Sequence, residues 1–180
     1  AELTIVDVRT ADEYAEGHVA GAFNVPLGEL TDHLDLLPNL DANIVIYCGS
    51  GHRSAVAMSA LQLLGYKNVR SVLVGASGFE AAGITLVQEP VTVEAGTAPT
   101  FDANMFPLVD AFLKNIPQGY LAVKPADFNV ELAETAPAAI LDVRTAGEWD
   151  NGRIEGATHI PLRDLMAELA QLPTDKAASI

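Results

Sequence analysis

One cysteine, Cys48, stands where the chain changes from a strand pattern to a helical one. It follows the apolar, β-branched run Ile44-Val45-Ile46-Tyr47 and precedes Gly49-Ser50-Gly51-His52-Arg53. From Ser54 to Leu64 the apolar residues fall at helical spacing. A thiol at the carboxyl end of a buried strand, facing a helix start, lies where open α/β sheets place their ligands. The unpaired N–H groups of the helix start and of a tight glycine-containing loop form an anion cradle. Such a cradle favours thiolate over thiol and can hold a charged group bonded to sulfur. A free cysteine is often only a small core hydrophobe, but the glycines and Arg53 have no obvious packing purpose in that reading. Arg53 offers a fixed cation that lowers a thiol pKa and attracts an anionic substrate. His52 is a candidate general base, although a loop histidine beside an exposed arginine is more often simply solvated.

The elements that must position this loop alternate. Leu3 to Val8 is an apolar strand, and Thr10 is a suitable N-cap with Asp12 and Glu13 in the first turn of a short helix ending at Gly17-His18. Val19 to Val25 leads into a second short strand, stopped by Pro26. Leu30, Leu34 and Leu37 share one face of an expected amphipathic helix. The helix after the cysteine loop ends at Gly65, a C′ residue. Val69 to Val74 is the next strand, followed by a turn at Gly75-Ala76-Ser77-Gly78 and a helical piece from Phe79 to Ala82. Strands alternating with helices imply an α/β fold, a doubly wound parallel sheet covered by helices on both faces. Residues 88–102, rich in Pro, Thr, Gly and Ala, read as a linker. Ala103 to Asn115 is an expected helix with Met105, Leu108, Val109 and Phe112 on one side. After a turn at Pro117-Gln118-Gly119 come an expected strand, Tyr120 to Val123, and a helix, Pro125 to Glu134.

The sequence then repeats itself. Ile140-Leu141-Asp142-Val143-Arg144-Thr145-Ala146 copies Ile5 to Ala11, and Gly152, Gly156, Ala157 and Pro161 keep the register of Gly17, Gly21, Ala22 and Pro26. Trp149 stands in place of Tyr14 and Arg153 in place of His18. Asp7 and Arg9, and their copies Asp142 and Arg144, are read as structural pairs at strand ends rather than catalytic groups. The copy stops before any second cysteine. The division expected is therefore a cysteine-bearing unit at 1–87, a linker with a helix at 88–118, and the first part of a second unit at 119–180. Tyr120 to Glu134 either supplies the strand and helix that the first unit lacks, within the chain or by exchange in a homodimer, or the sequence is a trimmed piece of a longer protein.

With 180 residues, nearly half of them apolar, the chain is long enough for one medium domain or a domain and a fragment. No apolar run approaches the roughly 20 residues that span a bilayer. The formal charge of −14 argues against nucleic acid and anionic membranes as partners. A single cysteine and four unclustered histidines, His18, His33, His52 and His159, leave no disulfide and no metal site, and no cofactor is expected. The first residue is alanine and no signal segment is visible, so a processed or partial chain is expected and the compartment stays open.

Cys48-Gly49-Ser50-Gly51-His52-Arg53-Ser54 resembles the active-site loop of rhodanese-type sulfurtransferases. Val6-Asp7-Val8-Arg9 and the run Glu13 to Pro26 resemble that family's other signature, so the likeness spans about residues 3 to 87. Ala76 and Phe79 replace the family's usual second glycine and tryptophan, keeping small and aromatic character. The resemblance implies a rhodanese-like fold with a partial tandem copy. It also implies sulfur transfer through a Cys48 persulfide, from a small-molecule donor such as thiosulfate to a thiol or cyanide, with residues 49–54 binding substrate. A persulfide carrier or sensor without turnover is the alternative. A phosphatase or arsenate reductase fits less well, because only four residues separate Cys48 from Arg53 where cysteine phosphatases have five.

Overall fold

The sheet is built outward from two parallel strands, β1 (Leu3–Asp7) and β4 (Asn43–Tyr47), in which Val6 faces Ile46 and Asp7 faces Tyr47. β3 (Phe23–Asn24) pairs parallel with β1, and β5 (Asn68–Ser71) parallel with β4, giving the order β3-β1-β4-β5. A two-residue strand β2 (His18–Val19) pairs antiparallel with β6 (Leu86–Val87) outside this sheet. The computed structural model describes residues 3–117, 119–134 and 137–180, in two units, Ala1–Leu121 and Ala122–Ile180. Among the described residues no helix is long and apolar enough to cross a membrane.

Pleating sends alternate side chains to opposite faces. On one face Val6, Ile44, Ile46 and Cys48 pack with Leu27, Leu30, Leu34, Leu37, Ala57, Leu61, Val109 and Leu113. On the other, Tyr47 joins Ala22, Phe79 and the partly buried Ile5 and Val72. Helix α1 (Ala11–Glu16) starts as expected: Thr10 and Glu13 form a reciprocal capping box. Helix α2 (His52–Leu63) ends in a full Schellman motif, with Tyr66 N–H bonding Leu61 O at 3.0 Å and Gly65 N–H bonding Gln62 O at 3.0 Å.

Several expectations are corrected. The helix expected over Leu30–Leu37 is a 3₁₀ run, Leu27–Leu36, broken at His33. Leucines three and four residues apart are served equally by tighter turns, in which residues i and i+3 align. Helix α2 begins two residues before Ser54, because Gly51 takes a left-handed φ of 99° as its N-cap and accepts the Ala55 N–H at 3.1 Å. β5 ends at Ser71 rather than Val74: Val72 N–H still bonds Ile46 O at 2.9 Å, but Val74 (φ 66°) then turns the chain over the cysteine loop. A 3₁₀ turn, Gly75–Gly78, follows.

Helix α3 (Met105–Lys114) buries Val109 and Leu113, whereas Leu108 and Phe112 are 67% and 50% exposed. Polar bonds fix this rotation: Thr31 Oγ1 donates to Asp110 Oδ1 at 2.7 Å and Lys114 pairs with Asp32 at 2.7 Å. Tyr120 to Val123 is not a strand. Tyr120 N–H bonds Pro117 O at 2.9 Å, and Tyr120 and Leu121 take left-handed φ values of 57° and 62°. This stretch therefore adds no strand to the first unit's sheet. Gln118, in the expected turn, lies outside the described residues. Residues 88–102 hold no helix or strand, yet they belong to the first unit. Val91, Val93 and Phe101 lean on its core, Gly96 N–H bonds Asp35 O at 2.8 Å, and Val91 N–H bonds the Tyr14 hydroxyl at 3.0 Å.

In the second unit the duplicated sequence has duplicated structure. β7 (Leu141–Asp142) pairs parallel with β8 (Thr158–His159) in the register of β1 and β3. Helix α5 (Ala146–Asp150) repeats the capping box with Thr145 and Glu148. The preceding helix, α4 (Pro125–Glu134), lies where the sequence placed it.

A Cβ added to Gly75 (φ 56°) would sit 2.2 Å from the Cys48 carbonyl oxygen, while one on Gly83 (φ 75°) meets nothing within 4 Å. Gly83→Ala is therefore expected to cost about 1 kcal/mol, from backbone conformation alone, and Gly75→Ala about 3 kcal/mol or more. Urea denaturation of the two variants checks this.

Candidate functional site

Cys48 continues the parity of Ile44 and Ile46, so its side chain enters the face covered by α2 and is fully buried. Burial alone raises a thiol pKa. Here donors surround the sulfur: Gly51 N–H lies 3.2 Å from Sγ and the Ser54 hydroxyl 3.5 Å. Burial pushes the thiol up, but the Ser54 hydroxyl and the N–H groups of Ser54, Ser50 and Gly51 outweigh it and hold the pKa below the ordinary thiol value. Ser54, itself fully buried, is steadied by Ser71 at the end of β5, Oγ to Oγ 2.8 Å.

The loop backbone is clamped from the β5 side. Ala76 N–H bonds Cys48 O at 2.7 Å and Ser77 N–H bonds Gly49 O at 3.0 Å. Only a residue without a side chain fits at Gly75, directly over the Cys48 carbonyl.

Arg53, in the first turn of α2, faces away from open solvent into Glu13 of α1. Nη1 meets Oε2 and Nη2 meets Oε1, both at 2.7 Å, a bidentate pair. The Arg53 guanidinium is the largest influence on Glu13 and holds its carboxyl down at about 2, while Glu13 in turn raises the Arg53 pKa. The Tyr120 ring lies over the guanidinium, 5.2 Å from its carbon to the ring centroid. The exposed His52 ring places Nε2 2.8 Å from the Tyr120 carbonyl oxygen.

Of the six loop residues from Gly49 to Ser54, the structure brings only some to the thiol. Ser50, Gly51 and Ser54 address the sulfur, Arg53 addresses Glu13, and His52 addresses Tyr120. Asp7 and Arg9 serve as scaffold: the carboxylate takes Arg9 N–H at 2.9 Å and two guanidinium nitrogens, and Arg9 Nη2 also reaches Gly17 O at 2.6 Å. Asp142 and Arg144 repeat that pair in the second unit, with Arg144 reaching Gly152 O at 2.8 Å. Among the described residues no three His, Cys, Asp or Glu side chains converge as metal ligands.

Sequence reasoning missed Glu13, Ser71, Gly75 and Tyr120 as parts of the site. Glu13 carried the signal of a first-turn acid, and Gly75 that of a turn. Ser71 and Tyr120 carried none, because their importance comes from contacts distant in sequence.

Comparison with known proteins gives consistent results. A family model described as a rhodanese-like domain matches residues 1–82 and 125–180. A mitochondrial protein of Schizosaccharomyces pombe is 34% identical, over 36% of this chain and 54% of that one. Thiosulfate sulfurtransferase PspE of Escherichia coli is 33% identical over 37% of this chain and 64% of its own length. A protein of Allochromatium vinosum named sulfurtransferase is 31% identical, over 48% of this chain and 79% of its own. The chain spans about half the length of the Schizosaccharomyces relative.

Two outcomes follow from the geometry. Ser54→Ala removes the hydroxyl donor, so the midpoint of Cys48 alkylation against pH is expected to move upward; an unmoved midpoint would show that the hydroxyl does not act on the sulfur. Glu13 is depressed from 4.5 to about 2 in the folded chain, so its stabilising effect is complete above pH 4.5 and fades as pH falls toward 2. Urea denaturation across that window should find the stability gap between wild type and Glu13→Gln closing as acid is added.

Proposed function

The chain belongs to the rhodanese-like family, and on that premise we propose that it is a sulfurtransferase working through a Cys48 persulfide. The observation that carries this reading is a fully buried thiol facing N–H and hydroxyl donors rather than a general base. Those donors hold the thiol pKa below its ordinary value, which enlarges the thiolate fraction ready to attack without a dedicated general base. The thiolate attacks the outer sulfur of a donor. The donor's S–S bond breaks, its remainder leaves with the bonding pair (sulfite, when the donor is thiosulfate), and Cys48 keeps one extra sulfur. That outer sulfur carries negative charge, and the N–H groups of Ser50, Gly51 and Ser54 provide its cradle. An acceptor thiol or cyanide then attacks the outer sulfur and restores the thiolate. The names of the relatives from Escherichia coli and Allochromatium vinosum support the same class of chemistry.

Arg53 has both terminal nitrogens on Glu13, which speaks against an oxyanion-enclosing phosphatase loop. Asp7, Arg9, Asp142 and Arg144 hold backbone in place and take no part in the transfer. Residues 122–180 contain no cysteine, so none of them contributes a nucleophilic sulfur in this reading.

Intact mass after brief incubation with thiosulfate tests the proposal. Wild type is expected to gain one sulfur, roughly 32 Da, and to lose it on adding cyanide, while Cys48→Ser gains nothing. A gain in Cys48→Ser, or no gain in wild type with any sulfane-sulfur donor, overturns it. A stable stoichiometric gain that no acceptor removes would make the chain a sulfur carrier instead.

A further inference from the structure

We propose that Glu13 sets the donor class of the Cys48 site: by occupying Arg53 it withdraws the cation a dianionic donor needs, leaving an apolar rim suited to a singly charged thiosulfonate or persulfide with an apolar group. This rests on the sulfurtransferase reading.

The Glu13 carboxylate is fixed from its own side. Oε2 accepts the Thr10 N–H at 3.0 Å and the Thr10 hydroxyl at 3.1 Å as well as Arg53 Nη1, so the helix cap aims it at the guanidinium. The pair lies against the loop: a Cβ on Gly49 would meet Arg53 Nη2 at 3.2 Å and Glu13 Oε1 at 3.8 Å. Tyr120 covers the guanidinium face. The loop's one arginine is therefore neutralised within the first unit.

Among the described residues of that unit, other cations are committed or turned away. Arg9 pairs with Asp7, Lys67 with Asp41 and Lys114 with Asp32. Arg70 precedes Ser71, whose hydroxyl meets Ser54, and so points to the opposite face of β5. The formal charge of −14 repels a dianion more strongly than a monoanion.

Part of the rim, in contrast, is apolar. Leu73, Val74 and Leu121 are 86%, 59% and 70% exposed. A Cβ on Gly51 would lie 3.3 Å from Val74 N and 3.9 Å from the Leu73 Cα, so Leu73 and Val74 border the loop itself. Val74 is β-branched and held at φ 66°, a costly conformation of the kind that concentrates at functional sites.

For a thiosulfonate R–SO₂–S⁻ the step balances without a proton. The Cys48 thiolate attacks the outer sulfur, the new S–S bond forms as the old one breaks, and the sulfinate R–SO₂⁻ leaves with the bonding pair. Cys48–S–S⁻ remains, with two negative charges before and after. Thiosulfate undergoes the same step with sulfite leaving, but brings three negative charges together.

Steady-state rates with cyanide as acceptor, comparing benzenethiosulfonate with thiosulfate, test the proposal. In wild type kcat/KM is expected to favour benzenethiosulfonate by about tenfold or more. Glu13→Gln keeps a side chain able to complete the capping box. It is expected to raise kcat/KM for thiosulfate about tenfold and to lower the preference accordingly. Leu73→Ser, at an exposed position, is expected to lower kcat/KM for benzenethiosulfonate about fivefold more than that for thiosulfate. A thiosulfate rate that does not rise in Glu13→Gln, or an unmoved preference in Leu73→Ser, overturns the donor-class proposal while Cys48-dependent turnover stands. Absence of Cys48-dependent turnover with both donors overturns the sulfurtransferase reading too.

Discussion

A buried thiol whose pKa is held below the ordinary value is the constraint around which the first unit is arranged. Cys48 has no exposure to water, so every interaction that offsets the desolvation of its sulfur has to come from the chain. β4 supplies the position, the loop and the first turn of α2 the N–H groups, and Ser54 the hydroxyl. The segment after β5 locks the loop's carbonyls so that its amides face inward. Each contribution is small, and all converge on one atom.

The duplicated segments separate what short sequence encodes from what packing adds. Asp7–Arg9 and Asp142–Arg144 make the same bonds, including the reach to Gly17 O and to Gly152 O. Yet the Arg9 side chain is 8% exposed and that of Arg144 is 43% exposed. A carboxylate two residues from a guanidinium, at a strand end before a capped helix, forms this pattern without a finished core. The stacked partners differ: Tyr14 lies against His18, whereas Trp149 stacks on His159 and carries Arg153 over its ring.

The parts legible in sequence were those set by residues close together. The Thr10 cap, the Gly65 Schellman end, the β4-to-α2 transition around Cys48 and the internal repeat all depend on short spacing. Contacts between distant residues were hidden. Glu13 and Arg53 lie 40 residues apart, and nothing in either stretch declares the pairing. The rotation of α3 was misread because four apolar residues promised a face, while Asp110 and Lys114 selected another through Thr31 and Asp32. Tyr120 looked like the start of a strand by residue type, but its backbone turns left-handed with its ring over Arg53. Local preference gives way when a single tertiary contact is strong enough.

The strap between β6 and α3 changes what counts as the foldable piece. His18 is wholly buried, with one ring nitrogen 3.0 Å from Tyr14 O and the other 3.0 Å from Glu89 O. Val91 bonds the Tyr14 hydroxyl, and Phe101 packs near Tyr66 at 6.2 Å between ring centroids. A boundary drawn after the last strand would strip partners from an imidazole and a phenol and uncover aromatic core. The piece that folds as a unit is therefore longer than the stretch bearing the cysteine loop: it takes in its own wrapping, and α3 closes the parcel.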